Sequence, residues 1–381
     1  MSASRMRTRS TTTALALAAV VVLAACSDGD EDAGTGGSVV EQGAESGTGE
    51  AAPVADGGSD PATGLVPAGE GVTEYPLALE SAYGETTLPS RPERIAVVSP
   101  TGIDVEILAT LGVTPVLASD VIERAAWTLD ALPGEIETTF PADYTGAVPW
   151  ETVAAADPDL IVVFGKDMDA EWDQAAAIAP VLTVSESDDD EVMDWRAQAE
   201  SIGEAIDLPG AAAGAIDDYD AFFADLREDH PEFEGLTVSY LVQYSEEWGT
   251  SFSNTTGSDT ERLLVDLGFA PHPNADDFAA DDLVSAELVG QVDADVVIVG
   301  DTTGVPGEAD RLLLETELFQ GLGAVQDGNL VVITNNAEGT GYVLDGVDHP
   351  GNLSWALGTG GPLGMQFAAE AIVPMLAEVL G

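Results

Sequence analysis

Two stretches of this chain read almost alike: PWETVAAADPDLIVV, residues 149–163, and SAELVGQVDADVVIV, residues 285–299. In each, a glutamate (Glu151, Glu287) stands eight residues before an aspartate (Asp159, Asp295), and four apolar residues follow. A short amphipathic run feeding a β-branched run is half of a strand–helix unit. Its appearance twice points to a chain built from two related lobes.

The flanks agree. In the first half RIAVVS (Arg94 to Ser99), PVLAS (Pro115 to Ser119), LIVVFG (Leu160 to Gly165) and VLTVS (Val181 to Ser185) read as strands. Between them VEILATLG, stopped by Gly112, and AEWDQAAAIA read as helices. In the second half TVSYLVQY (Thr237 to Tyr244) is a strand, ERLLVDLGFAP matches VEILATLGVTP around Gly268 and Gly112, and NLVVIT closes the sheet. Short apolar strands spaced by helices predict parallel sheets covered on both faces. The halves are unequal, because 39 residues separate glycine from glutamate in the first and 19 in the second.

Three further segments complete the plan. YPLALESAYGETTLP alternates as a hairpin does, with Gly84 in its turn. From Glu191 to Asp229 runs a helical segment with Ala199, Ile202, Ile206, Tyr219 and Phe223 along one stripe, broken at Leu208-Pro209-Gly210. The fold class read from this is α/β: parallel-sheet lobes over 74–190 and 236–381, joined by a long helical connection over 191–235.

The start of the chain is of another kind. Arg5, Arg7 and Arg9, the apolar run ALALAAVVVLAA and small residues ending at Cys26 make the pattern of a secretory signal over 1–25. The apolar run is shorter than the roughly 20 residues a membrane span needs. Cys26 is the only cysteine, so no internal disulfide forms. From Ser27 to about Thr73 the chain is rich in glycine, serine, threonine and acids and poor in large apolar residues, which predicts a flexible stalk over 26–73.

The formal charge of the 381 residues is −58. Loss of Arg5, Arg7 and Arg9 with the signal leaves eight basic residues against 69 acidic ones, a net of −61. Such a field repels nucleic acid and anionic lipid surfaces; it suits work in high salt, where self-repulsion is screened, and equally a solvated acidic surface with no special role.

With these residues in view, the chain from about Glu74 to Gly381 resembles the substrate-binding lipoproteins of ABC importers for iron siderophores, haem and cobalamin. The phrases that carry the resemblance are LPSRPERIAVVSPTGIDVEILATLGVTPVLAS, PWETVAAADPDLIVV, AAIAPVLTV, LLVDLGFA, the second copy of the opening phrase and FQGLGAVQDGNLVVIT. The resemblance implies the class III periplasmic-binding-protein fold, with two lobes held by a rigid helix. It implies lipidation at Cys26, residence on the outer face of the cytoplasmic membrane, and delivery of a ferric siderophore to a permease dimer driven by a cytoplasmic ATPase. It also gives Glu151 and Glu287 a role, one on each lobe, docking against permease arginines. The physics is compatible, since an acid in a first helical turn favours the helix dipole and a projecting carboxylate can pair bidentately with arginine. A monomer without a resident cofactor is expected.

In open parallel sheets the ligand sits beyond the carboxyl ends of the strands. Of the scarce basic residues, Arg124, Lys166 and Arg311 fall in such segments and Arg262 lies just beyond one, which would suit an anionic ferric catecholate or carboxylate. Trp127, Tyr244, Trp248 and Tyr342 are candidates for the apolar walls. His230, His272 and His349 are each followed by proline and lie far apart, without the spacing of a metal site; His349, in the loop LDGVDHPGN, is a further candidate for the cleft. Haem, cobalamin or a free metal ion remain alternative ligands. An extracellular enzyme is the rival class, but the chain lacks GxSxG, GxxxxGK and a dinucleotide fingerprint. The glycine-rich run Gly358 to Gly364 reads as a loop and helix cap.

Overall fold

A computed structural model describes residues 64–142, 147–183, 194–279, 283–344 and 346–381. The expected signal, Cys26 and most of the stalk lie outside the described residues. The first element is an antiparallel hairpin, β1 (Leu77–Ser81) and β2 (Gly84–Leu88), in which Gly84 opens the second strand opposite Ser81. The N-terminal lobe follows with β3 (Ile95–Val97), α1 (Ile103–Thr110), β4 (Leu117–Ser119), α2 (Ala126–Ala131), β5 (Thr138–Phe140), α3 (Trp150–Ala155), β6 (Leu160–Val162), α4 (Trp172–Ala176) and β7 (Val181–Leu182). Its five strands are all parallel, in the order β5-β4-β3-β6-β7. The order reverses between β3 and β6, so a crevice opens beyond their carboxyl ends.

The helical connection comes as two pieces, α5 (Trp195–Ala205) and α6 (Pro209–Asp229), broken where the proline signal puts the break. Asp207 between them takes a left-handed backbone (φ 59°), and Pro209 opens α6 where its missing N–H costs nothing. The C-terminal lobe holds β8 (Val238–Gln243), β9 (Thr250–Phe252), α7 (Asp259–Asp266), β10 (Val296–Asp301), α8 (Gly323–Asp327), β11 (Leu330–Asn335), β12 (Gly341–Leu344), β13 (Val347–Pro350), α9 (Leu353–Ala356) and α10 (Pro362–Leu380). Its six-stranded sheet runs β13-β12-β11-β10-β8-β9.

This second sheet departs from the expectation. Only β8, β10 and β11 are mutually parallel, while β9 and the β12–β13 hairpin add antiparallel strands at the two edges. NLVVIT therefore does not close the sheet. β9 is only three residues long and β13 is largely exposed, so neither edge carries the continuous apolar run that marks a central parallel strand.

The repeat seen in the sequence has a structural meaning. Asp159 and Asp295 stand at equivalent points, just ahead of β6 and β10. The Asp159 carboxylate accepts the backbone N–H of Glu93 and of Arg94, both at 2.8 Å, and Asp295 accepts that of Thr237 at 2.8 Å. Each aspartate thus ties the entry of a strand to that of its parallel neighbour. The paired glycines are equivalent as well. Gly112 (φ 69°) and Gly268 (φ 101°) each follow a helix in a left-handed conformation. Beyond them Val113 N–H bonds the Leu108 carbonyl at 2.8 Å and Phe269 N–H the Leu264 carbonyl at 3.0 Å, so α1 and α7 end in the same Schellman turn.

Among the described residues three apolar cores stand out. One covers the outer face of the N-terminal sheet around Val116, Ile161 and Trp150, and another the outer face of the C-terminal sheet around Leu241, Val297 and Phe319. The largest runs through both lobes, joining Ile107 and Leu108 of α1, Trp195 and Ile202 of α5, Tyr219 of α6, Val238 of β8 and Ala368 and Ile372 of α10. A fully buried Leu or Ile contributes roughly 1.5–3 kcal/mol, so a core shared between lobes resists their separation. By length and composition α10 could cross a membrane, but Met365, Ala368, Ala369, Ile372 and Leu376 bury it in this core.

The last ten residues of the expected stalk behave differently from a tether. Gly71, Val72 and Thr73 donate their N–H groups to the Asp207 carboxylate at 2.7–2.8 Å, and these bonds hold its pKa below the usual range. The Glu70 carboxylate accepts the Gly210 and Ala211 N–H groups at 2.8 Å, capping α6. Arg91 adds a bond to the Pro67 carbonyl at 2.6 Å. Polar composition predicted disorder here, whereas partners far along the chain fix the backbone.

Candidate functional site

A cavity of about 600 Å³ opens between the lobes at the carboxyl ends of the N-terminal strands. Val98 to Thr101 after β3, Ser119 at the end of β4 with Asp120, Val121, Glu123 and Arg124 beyond it, Phe140 at the end of β5 and Lys166 after β6 supply one side. Glu338 and Thr340, in the turn between β11 and β12, and Trp355 of α9 supply the other.

Each wall is built locally. The Ser119 side chain accepts the Val121 N–H and starts a short 3-10 turn, Asp120–Arg124, that projects Arg124 toward α9. The Arg124 guanidinium lies 5.3 Å from the centre of the Trp355 ring, and its carbonyl accepts the Asn352 N–H at 2.9 Å. Arg124 thereby touches both lobes. Lys166, the only lysine in the chain, is nearly buried, and its Nζ lies 2.9 Å from Glu171 Oε1. The other oxygen of Glu171 accepts the Trp150 indole N–H at 2.7 Å, so α3 and α4 hold the lysine in place from behind. Ser99 and Thr101 hydroxyls, 3.3 Å apart, add neutral polar groups, and Val98, Val121 and Phe140 add apolar surface.

Two buried acids of α1 lie behind this wall. The Asp104 carboxylate accepts the Phe164 N–H at 3.1 Å, and burial pushes its pKa up to about 7. Glu106 accepts the indole N–H of Trp127 in its own lobe and reaches across to the C-terminal lobe, where it accepts the Gly364 N–H, each at 2.9 Å. Burial raises it to about 7 as well, against the pull of those donors. Its oxygens cap the N-terminus of α10, and side chains at Gly360 or Gly361 would run into Asp259 or Glu106. The glycine-rich run is thus the seat of an interlobe contact.

The cavity brings together two of the eight expected ligand residues, Arg124 and Lys166. Trp127 is stacked on Phe367 at 4.7 Å within the interlobe contact, and Tyr342 is buried against His349 at 5.0 Å. Tyr244 and Trp248 lie in the β8–β9 turn, the tryptophan 69% exposed. Arg311 pairs with Glu246 at 2.8 Å and Glu308 at 3.6 Å, and Arg262 with Asp259 on α7. None of these six lines the cavity. For the two arginines the partners explain why: Glu308 and Asp259 stand three residues earlier, a helical neighbour that spacing alone could have revealed.

His349 belongs to strand β13, not to a loop, and also lies outside the cavity lining. Among the described residues no cluster of three or more histidines, cysteines or acids could hold a metal ion. Glu338, Thr340 and Trp355 were not foreseen. The polar turn NAEGTG between two apolar runs was the available sign for the first two.

Glu151 and Glu287 are both exposed. Glu151 occupies the first turn of α3, as expected. Glu287 sits in a turn just ahead of the 3-10 helix Val289–Val292, so the helix-dipole argument applies to the first lobe only.

Comparison with known proteins places this geometry. The model of the family described as periplasmic binding protein matches residues 95–337. A periplasmic solute binding protein from Mycobacterium smegmatis is 24% identical, with a TM-score of 0.63 over 80% of this chain and 99% of its own. The protein PiaA from Streptococcus pneumoniae in complex with ferrichrome is 22% identical, with a TM-score of 0.61 over 80% of this chain and 98% of its own. SirA from Staphylococcus aureus, complexed with staphyloferrin B, is 18% identical, with a TM-score of 0.57 over 79% and 98%. At these identities the likeness is one of fold. No curated protein matches the chain.

Proposed function

The chain belongs to the periplasmic binding protein family, and from that premise we propose that it captures a ferric siderophore in the interlobe cleft and delivers it to an ABC permease. The observation that carries this reading is the cavity of about 600 Å³ at the strand switch point, closed on its far side by a turn and a tryptophan of the second lobe. That size suits a compact chelate. Lys166 and Arg124 offer donors to its oxygens, and Trp355 offers a flat wall. Neighbours of the same fold, PiaA with ferrichrome and SirA with staphyloferrin B, support the ligand class.

In this reading Cys26 carries the lipid anchor and the chain acts outside the cytoplasmic membrane. Glu151 and Glu287 meet the permease, one from each lobe. The shared core and the Glu106 bridge to α10 support a frame that moves little on binding. The role is stoichiometric capture, so turnover of a substrate would count against it.

Tryptophan fluorescence of the exported chain, titrated with ferric chelates, tests the function, because Trp355 lines the cavity. Saturable quenching at one chelate per chain is the expected result. Folded protein that no ferric chelate quenches, but that haem or cobalamin does, would move the ligand to those alternatives.

A further inference from the structure

The cleft carries more negative than positive side chains. Asp120, Glu123 and Glu338 line it against Arg124 and Lys166. Both cations already have company inside the protein. Lys166 lies 2.9 Å from Glu171, which adds a further negative charge directly behind the wall, and Arg124 lies over Trp355. Asp120 is fixed in place by the Ala142 N–H at 2.6 Å, while Glu123 and Glu338 are exposed at the rim. Arg262 and Arg311, which would have reversed the balance, are paired elsewhere and do not line the cavity. A recess with low-dielectric walls focuses such a field, and the formal charge of −58 reinforces it.

Resting on the siderophore reading of this cleft, we propose that it takes ferric chelates without net negative charge, the trihydroxamate class, and discriminates against triply anionic tris-catecholates and citrate-type carboxylates. Three hydroxamates carry one negative charge each and balance ferric iron, so their complex is neutral, or cationic when a free ammonium hangs from it. Three catecholates carry two each and leave a trianion. The neutral chelate still presents polarised oxygens to Lys166 and Arg124, and a pendant ammonium would meet Glu338 or Glu123 at the rim. This reverses the anionic preference that the count of strand-end arginines suggested.

The test titrates the chain with three probes: a neutral cyclic ferric trihydroxamate, a linear one bearing an ammonium, and a ferric tris-catecholate. At low salt both trihydroxamates are expected to bind at least about tenfold more tightly than the trianion, and added salt should narrow the gap by strengthening the trianion. The double variant Asp120→Asn/Glu338→Gln, checked for folding by circular dichroism, should strengthen tris-catecholate binding roughly fivefold and so narrow the ratio between the trihydroxamates and the trianion. A tris-catecholate that binds as tightly as the trihydroxamates, or a ratio that neither salt nor the double variant moves, would overturn the charge rule while leaving the receptor reading standing. If no ferric chelate binds to folded protein, the receptor reading fails and takes the charge rule with it.

Discussion

The two lobes share a scaffold and differ in what they do with it. Both tie neighbouring strands with an aspartate, Asp159 or Asp295, and both end a helix in a Schellman turn, at Gly112 or Gly268. The first lobe nevertheless supplies most of the cavity wall, while the second contributes one turn and one tryptophan. The helices diverge as well: Asp104 and Glu106 of α1 correspond to Thr260 and Arg262 of α7, counted from the glycines. What is repeated is the machinery that sets strand register; what is not repeated is the site.

The largest expected effect concerns the one surface feature assigned to both lobes. Replacing Glu151 and Glu287 together with alanine should abolish chelate uptake by cells and leave chelate affinity unchanged. Either single variant should fall between. Full uptake by the double variant would remove the docking role.

Next comes a pH dependence specific to the first lobe. Burial raises Asp104 from 3.8 and Glu106 from 4.5, each to about 7. The folded chain therefore holds protons that the unfolded chain releases, so this contribution to stability is complete below about pH 4 and declines as the pH rises toward 7. The ceiling is about 4 kcal/mol for Asp104 and about 3 kcal/mol for Glu106, at 1.36 kcal/mol per pKa unit. Relief of general self-repulsion has the same sign, so the informative comparison is Glu106→Gln. Urea unfolding between pH 5 and 8 should show a shallower fall for this variant than for the parent chain, and identical slopes would contradict the buried-charge account.

Binding should divide along the same line. Lys166→Ala and Arg124→Ala are each expected to weaken chelate binding about tenfold, or 1.4 kcal/mol. Arg311→Ala and Trp248→Ala in the second lobe should stay within about twofold, and a larger loss there would move the site to the rim of that lobe. The smallest effect sharpens the equivalence of the scaffolds. Gly112→Ala and Gly268→Ala should each cost about 1 kcal/mol of unfolding free energy, because both backbones are left-handed.

The scaffold was legible in the sequence because its signals are local. Glycine after LATL and LVDL, aspartate before LIVV and VVIV, and proline at the helix break each act within a few residues. The site was only partly legible. Lys166 and Arg124 follow strands directly and could be placed by rule, whereas Trp355 arrives through α9 after an unforeseen hairpin. Residues 64–73 were misread for the same reason, since their order depends on Asp207, more than a hundred positions away.

The most direct test is an anomalous-scattering map, at the iron edge, of the chain crystallised with a neutral ferric trihydroxamate. A single iron peak between Lys166, Arg124 and Trp355, with the lobes held as they are here, is the predicted result. An iron peak beside Tyr244 and Trp248, or on the outer surface, would contradict the account.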